Sequence, residues 1–243
     1  MDTWFSARID ESFTTFGASH LVMLAIYVIV SVFILSTPAV RKRSTRFHTL
    51  LRVIFLSLLI LSEVSYQVWT ILHGYWMEGS HLPLHLCGIA SLVGVFALLT
   101  YHPKLIKITY FIGILPAAIA LITPDIPHDF QHFRFWKFFV HHMAISWTGL
   151  FLIVSTTVKI KWRDFLETFL YLGIYSILIH LFNQYTGTNY LYLEGPPIPG
   201  TPLDWMGNGI AYTATLVMTA FSLFAVMVIF YKLAGTKKRT VNE

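Results

Sequence analysis

The chain reads as an all-α bundle of seven transmembrane helices, with the N-terminus outside and the C-terminus in the cytoplasm. Three observations lead there. Apolar residues fill 56% of 243 positions and charged residues only 12%, roughly half the charge of an ordinary soluble domain. Apolar stretches recur at close to the ~20 residues needed to cross a bilayer. The basic residues also divide unevenly between alternate connections, as positive cytoplasmic loops require. The whole chain, 1–243, is then one integral domain of a multi-pass cell-membrane protein. Its net charge of +5 follows from those loops and calls for no nucleic-acid partner. The single cysteine, Cys87, excludes an internal disulfide.

Taken in order, Trp4, Phe5, Phe13 and Phe16 are interleaved with polar residues, which suits a short interfacial helix. The spans follow as His20–Ser36, Phe47–His73, Leu84–Thr100, Leu105–Thr123, Phe135–Val154, Phe165–Asn183 and Met206–Tyr231. Of the 17 Lys and Arg residues, 14 fall on one side: Arg41, Lys42, Arg43, Arg46, Arg52, Lys104, Lys107, Lys159, Lys161, Arg163, Lys232, Lys237, Lys238 and Arg239. Arg8, Arg134 and Lys137 remain on the other. An odd number of spans keeps this asymmetry.

Most other polar groups favour the outer side. Nine of the eleven histidines fall at outer span ends or in outer loops, His48 and His102 being the exceptions. Glu63, Gln67, Asn183, Gln184 and Asn189 join them. Unpartnered polar groups are costly in hydrocarbon, so these residues should turn inward and meet one another.

Cys87 follows Leu82-Pro83-Leu84-His85-Leu86. A free helical cysteine is ordinarily a small hydrophobe. Here Pro83 suits a first helical position, which places Cys87 about 6 Å along the axis. The free amides and positive dipole end nearby favour a thiolate or a developing oxyanion. His85, two residues away, points to a nearly opposite helix face, so a base must come from another span. His141 and His142 in the fifth span lie at similar depth. Adjacent helical side chains diverge by about 100°, so at most one of them faces Cys87. Glu63 lies deep in the second span and shares a face with Gln67. It can orient an imidazole or serve as a structural hydrogen-bond acceptor. The outer loop 185–205, with Asn189, Tyr190, Tyr192 and several prolines, reads as a lid or as an interfacial aromatic belt.

Leu82-Pro83-Leu84-His85-Leu86-Cys87, Phe138-Phe139 followed by His142, and Thr188-Asn189-Tyr190-Leu191-Tyr192-Leu193 resemble segments of the bacterial YwaF-type integral membrane proteins. That group is similar to the eukaryotic transmembrane protein 164 family, and Glu63 and Asn183 also fall where the pattern has them. The resemblance implies lipid acyl transfer through a cysteine and a histidine on adjacent helices. It assigns Cys87 as nucleophile and His142, rather than His141, as base. It also implies phospholipids or other acyl lipids as substrates.

The leading reading is therefore a lipid acyltransferase or acyl hydrolase working through an acyl-thioester, without cofactor or metal. Cys87, His142 and Glu63 carry the chemistry. His85, His141, Gln67, His180, Asn183, Asn189, Tyr190 and Tyr192 support it. A second reading gathers His85, His141, His142, His180 and Glu63 around zinc as an intramembrane hydrolase. A third is a non-enzymatic sensor, scaffold or transporter, in which the outer histidines titrate.

Overall fold

A computed structural model describes residues 4–5, 12–196 and 202–240, the side chains of 202 and 235–240 excepted. The described residues are overwhelmingly helical, and six of their helices are long and apolar enough to cross a membrane. Their outward faces carry side chains such as Leu21, Ile29, Leu61, Leu170 and Ile177 in exposed positions. Exposed apolar surface on this scale suits lipid rather than water. The contacts gather into two compact units: residues 1–76 with 87–158, and 77–86 with 159–243.

The first unit begins with α1, Ala18–Ser36, and a single turn α2, Pro38–Arg41. α3, Arg46–Leu72, starts where the Thr45 hydroxyl accepts from the His48 N–H at 3.1 Å. That side-chain cap satisfies one amide the helix leaves unpaired. α5, Leu86–Thr100, belongs here from Cys87 onward. Its 15 residues cover only about 22 Å of helix axis. It is therefore a shorter element than the full third span read from Leu84–Thr100. Arg52 closes its far end, donating to the carbonyls of Leu98 and Leu99 at 2.8 and 3.0 Å.

α6, Pro103–Thr109, runs through a π-helical turn, Tyr110–Ile114, into α7, Leu115–Ile122. Pro116 explains the turn. It has no N–H to offer a preceding carbonyl, and a wider local winding absorbs the missing bond. α8, Phe133–Ser155, is the centre of the unit. Its apolar window is 72% buried against 17% for α1, and α1, α3, the π turn and α7 all pack on it. Gly149 permits the closest approach, since a Cβ there would lie 2.5 Å from Ile114 Cγ1.

Ahead of α1 the expected interfacial helix does not form among the described residues. Residues 12–17 make turns and one antiparallel bridge, Ser12 to His128. The pairing is consolidated by Phe13 N–H donating to the Pro127 carbonyl at 3.3 Å. Backbone groups satisfied by another segment have no need of a helix.

The second unit holds the short α4, Glu78–His81, the long α9, Trp162–Thr186, and α10, Gly209–Thr240, which packs on α9. Asp164 accepts from the Lys161 N–H at 2.8 Å to start α9. Gly187, at φ 69°, ends it in the left-handed conformation that glycine adopts without strain. Two 3₁₀ turns, Tyr190–Tyr192 and Pro202–Met206, lie between α9 and α10.

Candidate active site

Cys87 is the second residue of α5, three places nearer the helix start than a helix opening at Pro83 would put it. Pro83 lies in a turn instead, with Leu84 N–H bonded to the Leu82 carbonyl at 2.8 Å. That turn is tied down by its neighbours. Leu82 N–H donates to the Tyr190 hydroxyl at 3.1 Å, and the Leu84 carbonyl accepts from Tyr175 at 2.8 Å. Helix can begin only beyond these anchors. Cys87 thus sits where α5 amides lack intrahelical acceptors.

Facing it is His142 of α8. His142 Nε2 lies 3.1 Å from Cys87 Sγ, and Nδ1 lies 2.8 Å from the Phe138 carbonyl. A carbonyl can only accept, so in the neutral ring Nδ1 carries the hydrogen. Nε2 is then a lone pair directed at the thiol. The base is oriented by its own helix, one turn back, while the Phe138 ring packs against it at 4.2 Å.

His141 turns elsewhere, its ring at 88° to that of His142. Its Nδ1 is 2.7 Å from Ser62 Oγ, and Ser62 donates its hydrogen to the Leu59 carbonyl at 3.1 Å. His141 therefore donates to Ser62. Glu63, next to Ser62, does not serve as the orienter expected of it. Its Oε1 accepts from Gln67 at 2.9 Å, and its Oε2 lies 3.7 Å from Lys137 Nζ. The Phe138 carbonyl already occupies His142 Nδ1, so no carboxylate is required there. Gln67 in turn accepts from Trp76 Nε1 at 2.9 Å.

Lys137 and Ser62 are the site neighbours that the sequence reading passed over. Lys137 had counted only as one of three outer basic residues. Its spacing of four from His141, which puts both on one face of an apolar helix, was the available signal.

The remaining candidates assemble in the second unit. Asn183 accepts through Oδ1 from Tyr190 N–H at 2.9 Å and from Thr188 Oγ1 at 2.8 Å, and donates through Nδ2 to the Tyr190 carbonyl at 2.9 Å. Tyr190 is wholly buried and its hydroxyl donates to the Glu78 carbonyl. Asn189 accepts from Glu194 N–H at 3.0 Å and donates to the Gly195 carbonyl at 2.9 Å. His180 and Gln184 hold the Glu194 carboxylate at 2.8 and 2.7 Å. Tyr192 accepts from Tyr212 through its carbonyl at 2.7 Å. His85 packs on the Tyr190 and Tyr192 rings at 4.9 and 5.0 Å, and its Nδ1 accepts from Leu191 N–H at 3.3 Å. In the neutral ring its Nε2 then carries a hydrogen free to donate. Residues 188–194 are thus a packed knot rather than a lid; 197–201 of that loop lie outside the described residues.

These partners also dissolve the zinc set. Among the described residues, no group of three or more His, Cys, Asp and Glu side chains is arranged to hold a metal.

The TMEM164 family model matches residues 15–231. The chain belongs to the TMEM164 family. The match takes in Cys87, His142, Glu63, Lys137 and the whole 188–194 knot. Family membership and the six long apolar helices make it a multi-pass membrane protein. Comparison with curated proteins and with solved structures gives no match.

Within this family member the site offers a thiol, a base of defined tautomer and helix-start amides beside the sulfur. Nucleophile and base within hydrogen-bond reach, with the base oriented by a third group, is the arrangement that nucleophilic acyl transfer needs.

Proposed function

We propose that the protein is an intramembrane enzyme that transfers or hydrolyses lipid acyl groups through Cys87. The observation that carries this reading is the His142 Nε2 lone pair held 3.1 Å from Cys87 Sγ. His142 takes the thiol proton as the sulfur attacks an ester carbonyl carbon. The carbonyl electrons move onto oxygen, where amides at the α5 start lie ready to stabilise the oxyanion. Collapse restores the carbonyl and expels the lipid alkoxide, which recovers the proton from imidazolium. The acyl group is left as a thioester. A second lipid hydroxyl, or water, then gives its proton to His142 and attacks the thioester, regenerating the thiol. Phospholipids and other acyl lipids reach such a site laterally from the bilayer.

The topology that goes with this reading counts α5 as a seventh crossing and puts the N-terminus outside the cell membrane. The division of basic residues supports it.

The test is to incubate purified protein with an ester lipid bearing a labelled acyl chain, quench in acid and map the adduct. A hydroxylamine-sensitive acyl group on the Cys87 peptide, absent from Cys87→Ala, is the expected result. Acyl transfer that persists in Cys87→Ala would overturn the reading.

A further inference from the structure

α8 begins with an electrostatic imbalance. Arg134 and Lys137 occupy its opening turns, and its first turn contains no acid. Cations are disfavoured there, because the helix dipole already places positive potential at that end. Lys137 Nζ lies 4.2 Å from the centre of the Tyr66 ring, and the Arg134 guanidinium lies 5.7 and 5.8 Å from the Tyr66 and Trp69 rings. Among the described residues, Arg134 meets rings rather than a carboxylate. Asp129, just ahead of the helix, turns its Oδ1 to Phe130 N–H at 2.7 Å. Among the described residues, Glu63 is the one carboxylate that meets either cation, at a loose 3.7 Å from Lys137 and with one oxygen already taken by Gln67. Uncompensated positive charge in an apolar bundle is expensive, and such residues are kept for function by default.

We propose that Lys137 and Arg134 form an anion subsite that holds the phosphate of an amphiphile while its ester lies at Cys87. This rests on the acyl-transfer reading and adds to it the head-group chemistry the site selects. The spacing fits. Lys137 precedes His142 by five residues, about 7.5 Å along the axis, and Arg134 by eight, about 12 Å. In a glycerol phosphodiester, the phosphate and the nearer ester carbonyl are separated by one edge of the glycerol, a span of the same order as the Lys137 offset. The chemistry fits as well. Lys137 offers a compact ammonium with donors to spare, and Arg134 a planar fork matched to two phosphate oxygens. Glu63 anchors the ammonium to α3 between ligands.

The test measures binding rather than turnover, in full-length Cys87→Ser protein in uncharged maltoside micelles. Two photoactivatable probes share one acyl chain: lysophosphatidylcholine, and a monoacylglycerol without phosphate. The phosphate-bearing probe should label the protein at about tenfold lower concentration, the scale of one charge-assisted contact. Lys137→Gln and Arg134→Gln should each remove most of that preference, and Lys137→Arg should retain it. Labelling by the monoacylglycerol should hold steady in every variant, which reports an intact fold. Equal labelling by both probes, or a preference that survives Lys137→Gln together with Arg134→Gln, overturns the proposal. So does full competition by millimolar inorganic phosphate, which would make the ligand a free anion. A preference that persists while native Cys87 proves inert sustains the subsite and defeats only the acyl-transfer reading.

Discussion

The Tyr190 knot and the Cys87–His142 pair solve the same problem to opposite ends. Both place polar side chains among apolar helices. In the knot, Asn183 spends Oδ1 on two donors and Nδ2 on a carbonyl, all within 2.9 Å. Nothing there is left to react. In the pair, His142 gives one nitrogen to a strong acceptor and turns the other to sulfur, a weak hydrogen-bonding partner. Saturated polar groups hold a fold together, whereas a lone pair satisfied only by a thiol is available to a substrate. The difference is a physical means of sorting the polar residues of the spans, which composition alone presents as one population.

The strongest challenge to this contrast is at the reactive end. Cys87→Ala or His142→Ala should lower lipid acyl turnover by at least about a thousandfold, roughly 4 kcal/mol of transition-state stabilisation. Thermal melting in detergent should barely move in either variant. A large drop in melting temperature with turnover preserved would reverse the assignment of the two regions.

At the saturated end, Asn183→Ala strips partners from both the N–H and the carbonyl of buried Tyr190. It should cost about 3 kcal/mol, read as a lower melting temperature or loss of folded protein. Asn183→Asp, which keeps the acceptor and loses the donor, should fall between. If Asn183→Ala is as stable as the native chain, saturation is not what holds the knot.

Gly149→Ala probes the packing that carries His142. The new methyl meets Ile114, and relieving the overlap should cost about 1–3 kcal/mol. The smallest effect separates the two histidines. Ser62→Ala leaves the His141 N–H without its acceptor and should cost about 1–2 kcal/mol of stability. It should change alkylation of Cys87 by a membrane-permeant electrophile less than about threefold, while His142→Ala slows it by about tenfold or more. Equal slowing by both would mean that the histidines act as one unit.

The long spans were legible because crossing length and apolarity are local properties. Six of the helices can be traced in hydropathy alone, with ends within about three residues of those observed, except that α10 runs on to Thr240, well past the Tyr231 expected. Cys87 and the histidines near span ends were legible for a related reason: where a polar residue sits along a span follows from counting. Partners were not. Glu63 could be recognised as an acid too deep to be idle, yet nothing local says whether it meets an imidazole or an ammonium. That depends on how α3 and α8 are rotated against each other. The start of α5 was likewise invisible, since Pro83 is as good at opening a helix as at making a turn. Anchors from Tyr190 and Tyr175, about a hundred residues downstream, settle the matter.

Hydrophobic length and polarity are read residue by residue, and they were enough for an all-helical, multi-pass membrane protein with polar residues near its span ends. The family pattern in those residues already favoured His142 over His141. Tertiary structure alone decided which polar groups touch. His141 and His142 are neighbours in the chain and similar in depth. Only the packing of α8, pressed against Ile114 at Gly149 and filled by Phe135, Phe139 and Phe151, fixes the rotation that sends one to Ser62 and the other to the thiol.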